Sequence, residues 1–278
     1  QKIFYFENTS TMYVASYQLS SIEVPIIIYN NNKIILKGGF WDGRIEINSL
    51  PSDSKEETIS SMVFSGYDHP IVCMKMTKDE KLLICGTKVG SVIVYNVNGY
   101  NLEVNDIIYS HSDEITSISI DDNLNMFATA SIDGYINLYI LPSLQLVRVI
   151  HISSLKQKIG NNNNNINKNQ FEEEIFQEYK EEKCLYADNI FLSSSPLACI
   201  AIFISSKRVF RSYSMNGELI KEVEEKEVSK INSPIVFKNM NFFDYLIYGT
   251  NKGYIQIRSF PKMELINSIV VNDTCNIT

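Results

Sequence analysis

The 278-residue sequence predicts an all-β protein assembled from repeated units of four short strands. Residues 111 to 142 hold three apolar runs separated by turn signals, and a fourth run follows. Turn glycines recur at a near-constant interval, Gly43, Gly90 and Gly134 being 47 and 44 residues apart. Most of the remaining chain reads as better or worse copies of the same unit.

In the clearest unit, Ile115, Ile118 and Ile120 open the first strand and Met126 to Ala130 forms the second. Tyr135 to Leu141 alternates apolar and polar residues as a half-buried strand does. Asp133-Gly134 supplies the tight turn between the second and third strands. Leu144 to Ile150 gives the fourth strand after the Pro142-Ser143 break. Four strands in about 40 residues resemble one blade of a WD40 β-propeller. In such blades a His ahead of the first strand, a Ser or Thr on the second, an Asp in the turn and an aromatic on the third form a buried polar network. His111, Thr129 (with Ser131 as the alternative), Asp133 and Tyr139 match those positions, Tyr139 standing where the aromatic is usually Trp.

The other units follow in order. Lys2 to Phe6 and Met12 to Leu19 read as the last strands of a preceding repeat. Val24 to Tyr29, Ile34 to Lys37, Gly43 to Asn48 and Ser60 to Phe64 make the first whole unit. The second comprises Ile71 to Met76, Leu82 to Gly86, Ser91 to Val97 and Leu102 to Tyr109. There Val89 occupies the turn-Asp position and Tyr67 the His position, so packing must replace the polar network. After His151 the period breaks, and residues 153–183 are expected to form a surface insertion. Its tract Asn161 to Asn165 and the acidic run from Phe171 to Lys183 offer too little apolar surface to offset the entropy of ordering. A short helix carrying Phe171, Ile175 and Tyr179 on one face is the alternative for the acidic part. The repeat resumes with Leu185 to Leu192, Leu197 to Ile204, Lys207 to Ser214 and Glu218 to Val223, with Lys207 at the turn-glycine position. Gly253 comes 46 residues later, among Tyr245 to Gly249, Tyr254 to Ser259 and Met263 to Val271. Five whole units with partial ones at both ends are expected. A chain opening at Gln1 and stopping at Thr278, where another first strand is due, reads as a fragment.

Composition narrows the function. The net charge of -7 and pI near 5.1 leave no basic field for a phosphate backbone, which disfavours nucleic acid as a partner. No apolar segment approaches the length of a bilayer span, so direct membrane insertion is not expected and the cytoplasm is. Cys73, Cys85, Cys184, Cys199 and Cys275 show no CxxC pairing, and four lie in apolar strand-like runs, as buried reduced thiols do. His69, His111 and His151 have no metal-ligand spacing, and no cofactor is predicted. Asp121-Asp122-Asn123 is turn chemistry rather than a hydrolytic carboxylate pair, and Asp113-Glu114 is set aside with it. No phosphate-binding glycine loop, GxSxG or HExxH occurs. The single tryptophan, Trp41, is read first as a packed corner residue and alternatively as an exposed recognition aromatic, with Asp42 beside it.

Several unusual segments carry a narrower resemblance. Gly39-Phe40-Trp41-Asp42-Gly43-Arg44 resembles the GFWD-type corner in the C-terminal propellers of BEACH-domain proteins, the neurobeachin and lysosomal-trafficking-regulator group. Asp68-His69-Pro70-Ile71-Val72-Cys73 is similar to their DHxVxC segment. Phe210 to Leu219 resembles their "FSINGKL" hairpin, and Leu141-Pro142-Ser143-Leu144 their blade-closing turn. The resemblance runs in order over about residues 24 to 271. It implies a seven-bladed propeller in the intact protein, following a BEACH module, with no catalysis attributed to it. It also implies a scaffold of membrane trafficking and autophagy that meets proteins, the adjacent BEACH domain included, and reaches vesicle or organelle membranes through partners. The alternative is a generic WD40 adaptor of ubiquitin-ligase or signalling complexes, with a propeller hydrolase after it.

Overall fold

The computed structural model describes residues 2–4, 13–15, 25–30, 34–49, 61–64, 69–152, 185–225, 228–238 and 243–271. The expectations at Tyr67, Asp68, Cys184 and Cys275, the insertion at 153–183 and the further first strand at 272–278 lie outside these residues.

Among the described residues all regular structure is β. Strands β1 (Lys2–Phe4) and β2 (Tyr13–Ala15) pair with each other antiparallel. Five four-stranded antiparallel meanders follow, arranged as a β-propeller of five blades. Blade 1 holds β3 (Ile26–Tyr29), β4 (Ile34–Lys37), β5 (Ile45–Ser49) and β6 (Ser61–Phe64). Blade 2 holds β7 (Ile71–Met76), β8 (Leu82–Thr87), β9 (Ser91–Asn98) and β10 (Asn101–Tyr109). Blade 3 holds β11 (Ile115–Asp121), β12 (Met126–Ser131), β13 (Tyr135–Ile140) and β14 (Leu146–His151). Blade 4 holds β15 (Asn189–Ser193), β16 (Cys199–Ile204), β17 (Val209–Ser214) and β18 (Leu219–Glu224). Blade 5 holds β19 (Ile231–Lys238), β20 (Asp244–Thr250), β21 (Tyr254–Ser259) and β22 (Leu265–Val270).

The first strands of successive blades lie against one another, which places them innermost, and the fourth strands are outermost. A sheet packed on both faces needs apolar residues without alternation. Strand β16, Cys-Ile-Ala-Ile-Phe-Ile, meets that demand and is buried at all six positions. Outer strands such as β14 are exposed almost throughout. The core is divided among four inter-blade seams. Ile34, Leu36, Ile45 and Ile47 of blade 1 meet Ile71, Leu83 and Ile93 of blade 2. Val92 and Val94 meet Ile118, Phe127 and Tyr139 between blades 2 and 3. Ile136 and Leu138 meet Ile200 and Ile202 between blades 3 and 4. Phe203 and Phe210 meet Leu246 and Tyr248 between blades 4 and 5. Each such side chain contributes about 1.5–3 kcal/mol on full burial, so the seams hold the blades together.

The turns between second and third strands share one hydrogen bond. The Gly43, Gly90, Gly134 and Gly253 amides donate to Phe40, Thr87, Ser131 and Thr250 carbonyls three residues earlier. In blade 4 Arg208 donates to Ser205 and has φ of 54°, so Arg208 rather than Lys207 takes the glycine position. The slip arose because no glycine marks that turn. A side chain at Gly90 would be strained at φ of 86°, and its Cβ would lie 2.5 Å from the His111 carbonyl oxygen. That glycine lets the blade 2 turn touch the loop leading into blade 3.

Two further corrections concern first strands. In blade 4 the strand begins at Asn189, and Leu185 and Ala187 are buried in the entry loop instead. Blade 5 has a first strand, β19, that alternation did not reveal. Pro234 interrupts it, and the register shifts between Asn232 and Ile235, a bulge being one of the few places a sheet admits proline.

Candidate interaction surface

The upper rim of the disc is formed by the loops entering each first strand and by the turns between second and third strands. In blade 3 one buried cluster fixes both. His111 Nδ1 lies 3.0 Å from Asp133 Oδ2, and His111 Nε2 lies 2.8 Å from Thr129 Oγ1. Burial holds the His111 pKa below its ordinary value, against the opposing pull of Asp133. The neutral imidazole therefore donates from Nδ1 to the carboxylate and accepts the Thr129 hydroxyl proton at Nε2. Asp133 also accepts the backbone N–H of Ser112 and of Tyr135, each at 3.0 Å. One carboxylate thus ties the entry loop to the turn. Ser131 does not reach His111; its hydroxyl donates to the Asp113 carbonyl at 2.9 Å and accepts the Asp133 N–H.

Tyr139 stacks on Phe127 with ring centroids 4.6 Å apart and donates to Ser110 Oγ at 2.5 Å. Burial raises its pKa, while hydrogen bonds with Ser110, Asn137 and Thr129 act against that shift. The ring fills the seam toward blade 2, and the hydroxyl reaches the loop beside His111.

Blade 5 has a second buried cluster that sequence reasoning missed. Arg258, at the strand position of Tyr139, donates to Tyr248 Oη and to the Met263 carbonyl, both at 2.7 Å, and pairs with Glu225. Its guanidinium lies 4.9 Å from the Phe210 ring centroid. Tyr248 in turn donates to Gln256 Oε1 at 2.7 Å. Burial is the main cause that pushes the Tyr248 pKa up to about 12. A signal existed in the aromatic position taken by arginine, but its acidic partner sits 33 residues upstream.

On the opposite rim, Asp121 Oδ1 accepts the Asn123 and Leu124 amides, as turn chemistry requires. Its other oxygen lies 2.6 Å from Lys238 Nζ, linking blade 3 to blade 5 past blade 4. Asp122 reaches outward instead and accepts the Lys78 amide of blade 2. Asp244 accepts the Ser193 hydroxyl and the Ser194 and Ser195 amides of blade 4. Carboxylates on this rim act as staples between blades, Asp122 and Asp244 joining adjacent ones and Asp121 reaching one blade further. Asp113 caps locally, accepting the Glu114 amide at 2.7 Å.

Trp41 is 82% exposed, which corrects the packed-corner reading. Arg44 occupies the place beneath the corner: it stacks 4.2 Å from the Phe40 centroid and bonds Asp42 Oδ2 at 3.1 Å and Glu46 at 3.4 Å. Arg44, Phe40 and Asp42 hold one another, and the indole is left in solvent. Val89, 45% exposed in the next turn along this rim, adds apolar surface.

Among the described residues no three His, Cys, Asp or Glu side chains are placed to hold a metal ion. Burial pushes the Cys73 and Cys199 thiols up to about 12, and Cys85 well above its ordinary value, so none of the three is a ready nucleophile. His69 is exposed, and the His151 ring packs tilted against Tyr135 with centroids 4.7 Å apart. No helix among the described residues is long and apolar enough to cross a membrane.

No protein-family model matches the chain. Among solved structures it is similar to the computationally designed Ika8 protein, with 13% sequence identity over 91% of this chain and a TM-score of 0.55. The chain spans 63% of that designed protein's length. At this identity the likeness concerns the fold.

Proposed function

We propose that this chain is a non-catalytic protein-interaction platform of WD40 type, serving a BEACH-type scaffold of membrane or vesicle trafficking. The observation that carries the interaction reading is Trp41, an indole 82% exposed on a turn braced from below by Arg44, Phe40 and Asp42. Exposed, rigidly mounted tryptophans are the side chains that most often dominate binding at protein surfaces. The His111, Thr129 and Asp133 geometry supports the WD40 assignment, because it joins the three positions at which such blades place their polar network. The BEACH assignment rests on the ordered run of similar segments, of which the corner at Gly39 to Arg44 is the most specific. The partners are cytosolic trafficking or autophagy proteins, and membranes are reached through them.

Capture of binding partners by the full-length protein and by its Trp41→Ala variant tests this reading. Recovery of trafficking or autophagy proteins by the wild type, lost with Trp41→Ala while the melting temperature is unchanged, is the expected outcome. Recovery of ligase subunits alone selects the generic adaptor, and equal recovery by both proteins removes Trp41 from the interface. Turnover of a hydrolase substrate panel would overturn the non-catalytic assignment.

A further inference from the structure

We propose that the outer edge of blade 5 is a self-association site, at which β22 pairs antiparallel with β22 of a second copy of this chain. The inference rests on the fold and is independent of the partner reading. An outer strand ends its blade's sheet, so its backbone donors and acceptors on that side are open to another chain. Charged side chains are a common protection of such edges. Strand β10 exposes Glu103 and Asp106, β14 exposes Arg148, and β18 exposes Lys221, Glu222 and Glu224. Strand β22 is exposed at all six positions, yet from Leu265 to Val271 the chain carries no charge. Leu265, Ile266, Ile269, Val270 and Val271 are each 47% to 56% exposed.

The backbone of this edge is available. The Val271 N–H donates inward, to the Gly253 carbonyl at 3.0 Å. Backbone groups alternate in direction along an antiparallel strand, so those of Ile269 and Asn267 also face β21, and those of Val270 and Ser268 face outward. The Ser268 N–H is accordingly taken up by the neighbouring Asn267 Oδ1 at 2.8 Å and not by a carbonyl of β21. Ile266 has no partner in β21, because the register shifts between Ile257 and Arg258.

A second copy fits this edge because the sequence complements itself about Ser268. A twofold axis there sets Ser268 opposite its own equivalent, and such a pair can exchange two backbone hydrogen bonds. The same register sets Ile266 opposite Val270 and Leu265 opposite Val271, apolar against apolar. Only Asn267 meets an apolar residue, Ile269, and both lie on the exposed surface of the strand. Each copy has a net charge of -7, so two copies repel over most of their surface, and an uncharged edge lets them meet without opposing like charges. Strand β10 paired with itself would instead bring Glu103 and Asp106 of both copies together. Pairing uses up both edges, so assembly stops at the dimer.

Sedimentation equilibrium of the full-length protein over a range of concentrations tests the proposal, and the expected result is a reversible monomer–dimer equilibrium. Ser268→Pro removes an outward N–H and sets a ring where the partner strand would lie, a change that an edge strand tolerates. It should leave the melting temperature of the dilute protein unchanged and give a monomer at every concentration. Val270→Lys keeps the backbone intact and places a charge opposite Ile266, which should weaken dimerisation about tenfold or more. Under mild oxidation Ser268→Cys should form a covalent dimer that neither wild type nor Lys221→Cys, on the exposed edge of β18, forms. A wild type that stays monomeric, variants that dimerise as it does, or masses that grow past the dimer would each overturn the proposal.

Discussion

Where blade 3 buries Tyr139, blade 5 buries Arg258 at the same strand position, and the two blades are held by different chemistry. Blade 3 uses a neutral imidazole, a hydroxyl and one carboxylate, and that carboxylate keeps two backbone amides besides. Blade 5 buries a full ion pair, Arg258 with Glu225, satisfied by Tyr248 and the Met263 carbonyl. Blade 2 does without either: Cys85 and Val89 replace the polar pair, and its turn is closed by Thr87, whose Oγ1 lies 2.7 Å from Ser91 Oγ. The seam between blades 2 and 3 is apolar apart from the Tyr139 hydroxyl, whereas the seam between blades 4 and 5 adds to its apolar core an ion pair that crosses from Arg258 to Glu225 and a guanidinium packed on Phe210. In blade 3 the polar cluster fixes a loop and a turn; in blade 5 it also joins two blades.

The largest effect should come from breaking the charged cluster. Arg258→Met leaves Glu225 buried without its partner, and removing one member of such a pair costs about 3–5 kcal/mol. Urea unfolding should show that loss, and the double variant Arg258→Met with Glu225→Leu should regain most of it. If the single and double variants are equally destabilised, Arg258 acts through shape and not through charge.

Next comes Asp133→Ala, which strands His111, Ser112 and Tyr135 donors and should cost about 1–3 kcal/mol. A melting temperature equal to wild type would show that blade 3 does not depend on the cluster, and blades 2 and 3 would then be alike.

A smaller effect is the pH dependence that blade 3 should have and blade 5 should lack near neutrality. The His111 pKa is lowered by burial in the folded state, so below its unfolded value of about 6.5 the unfolded chain binds a proton that the folded chain refuses. Its contribution is complete above that pH and declines as pH falls from there toward the lowered folded value. Thermal melts between neutral and mildly acidic pH should therefore show a steeper loss for wild type than for His111→Gln. A slope unchanged by the substitution would assign the acid sensitivity elsewhere.

The smallest effect is expected at Val89→Ala. The residue is 45% exposed and touches no polar cluster, so the change should stay within about 0.5 kcal/mol in the same unfolding assay.

Most of the blade pattern was legible in the sequence. Strands β4 and β7 fall where alternation and turn residues place them, and the turn at Asp133-Gly134 forms as read. The parts that were not legible share a cause. Strand β19 was hidden by Pro234, whose bulge breaks the period on which strand recognition depends. The blade 4 turn was misplaced by one residue because Arg208 adopts the left-handed backbone that glycine elsewhere announces. At the candidate surface, composition could not tell an exposed Trp41 from a packed one.

The sequence by itself determined what is local: strand spacing, the positions of most turns, and the residue types that bring His111, Thr129 and Asp133 within one blade's reach. Those features follow from side-chain alternation and backbone preference over a few residues, which any window of the chain carries. Only the tertiary structure decided which side chains meet across blades. Arg258 finds Glu225, Lys238 reaches Asp121 past an intervening blade, and Arg44 takes the place beneath the corner and leaves Trp41 outside. Such contacts depend on how whole sheets stack, and no periodicity within a single blade encodes the neighbour it will face.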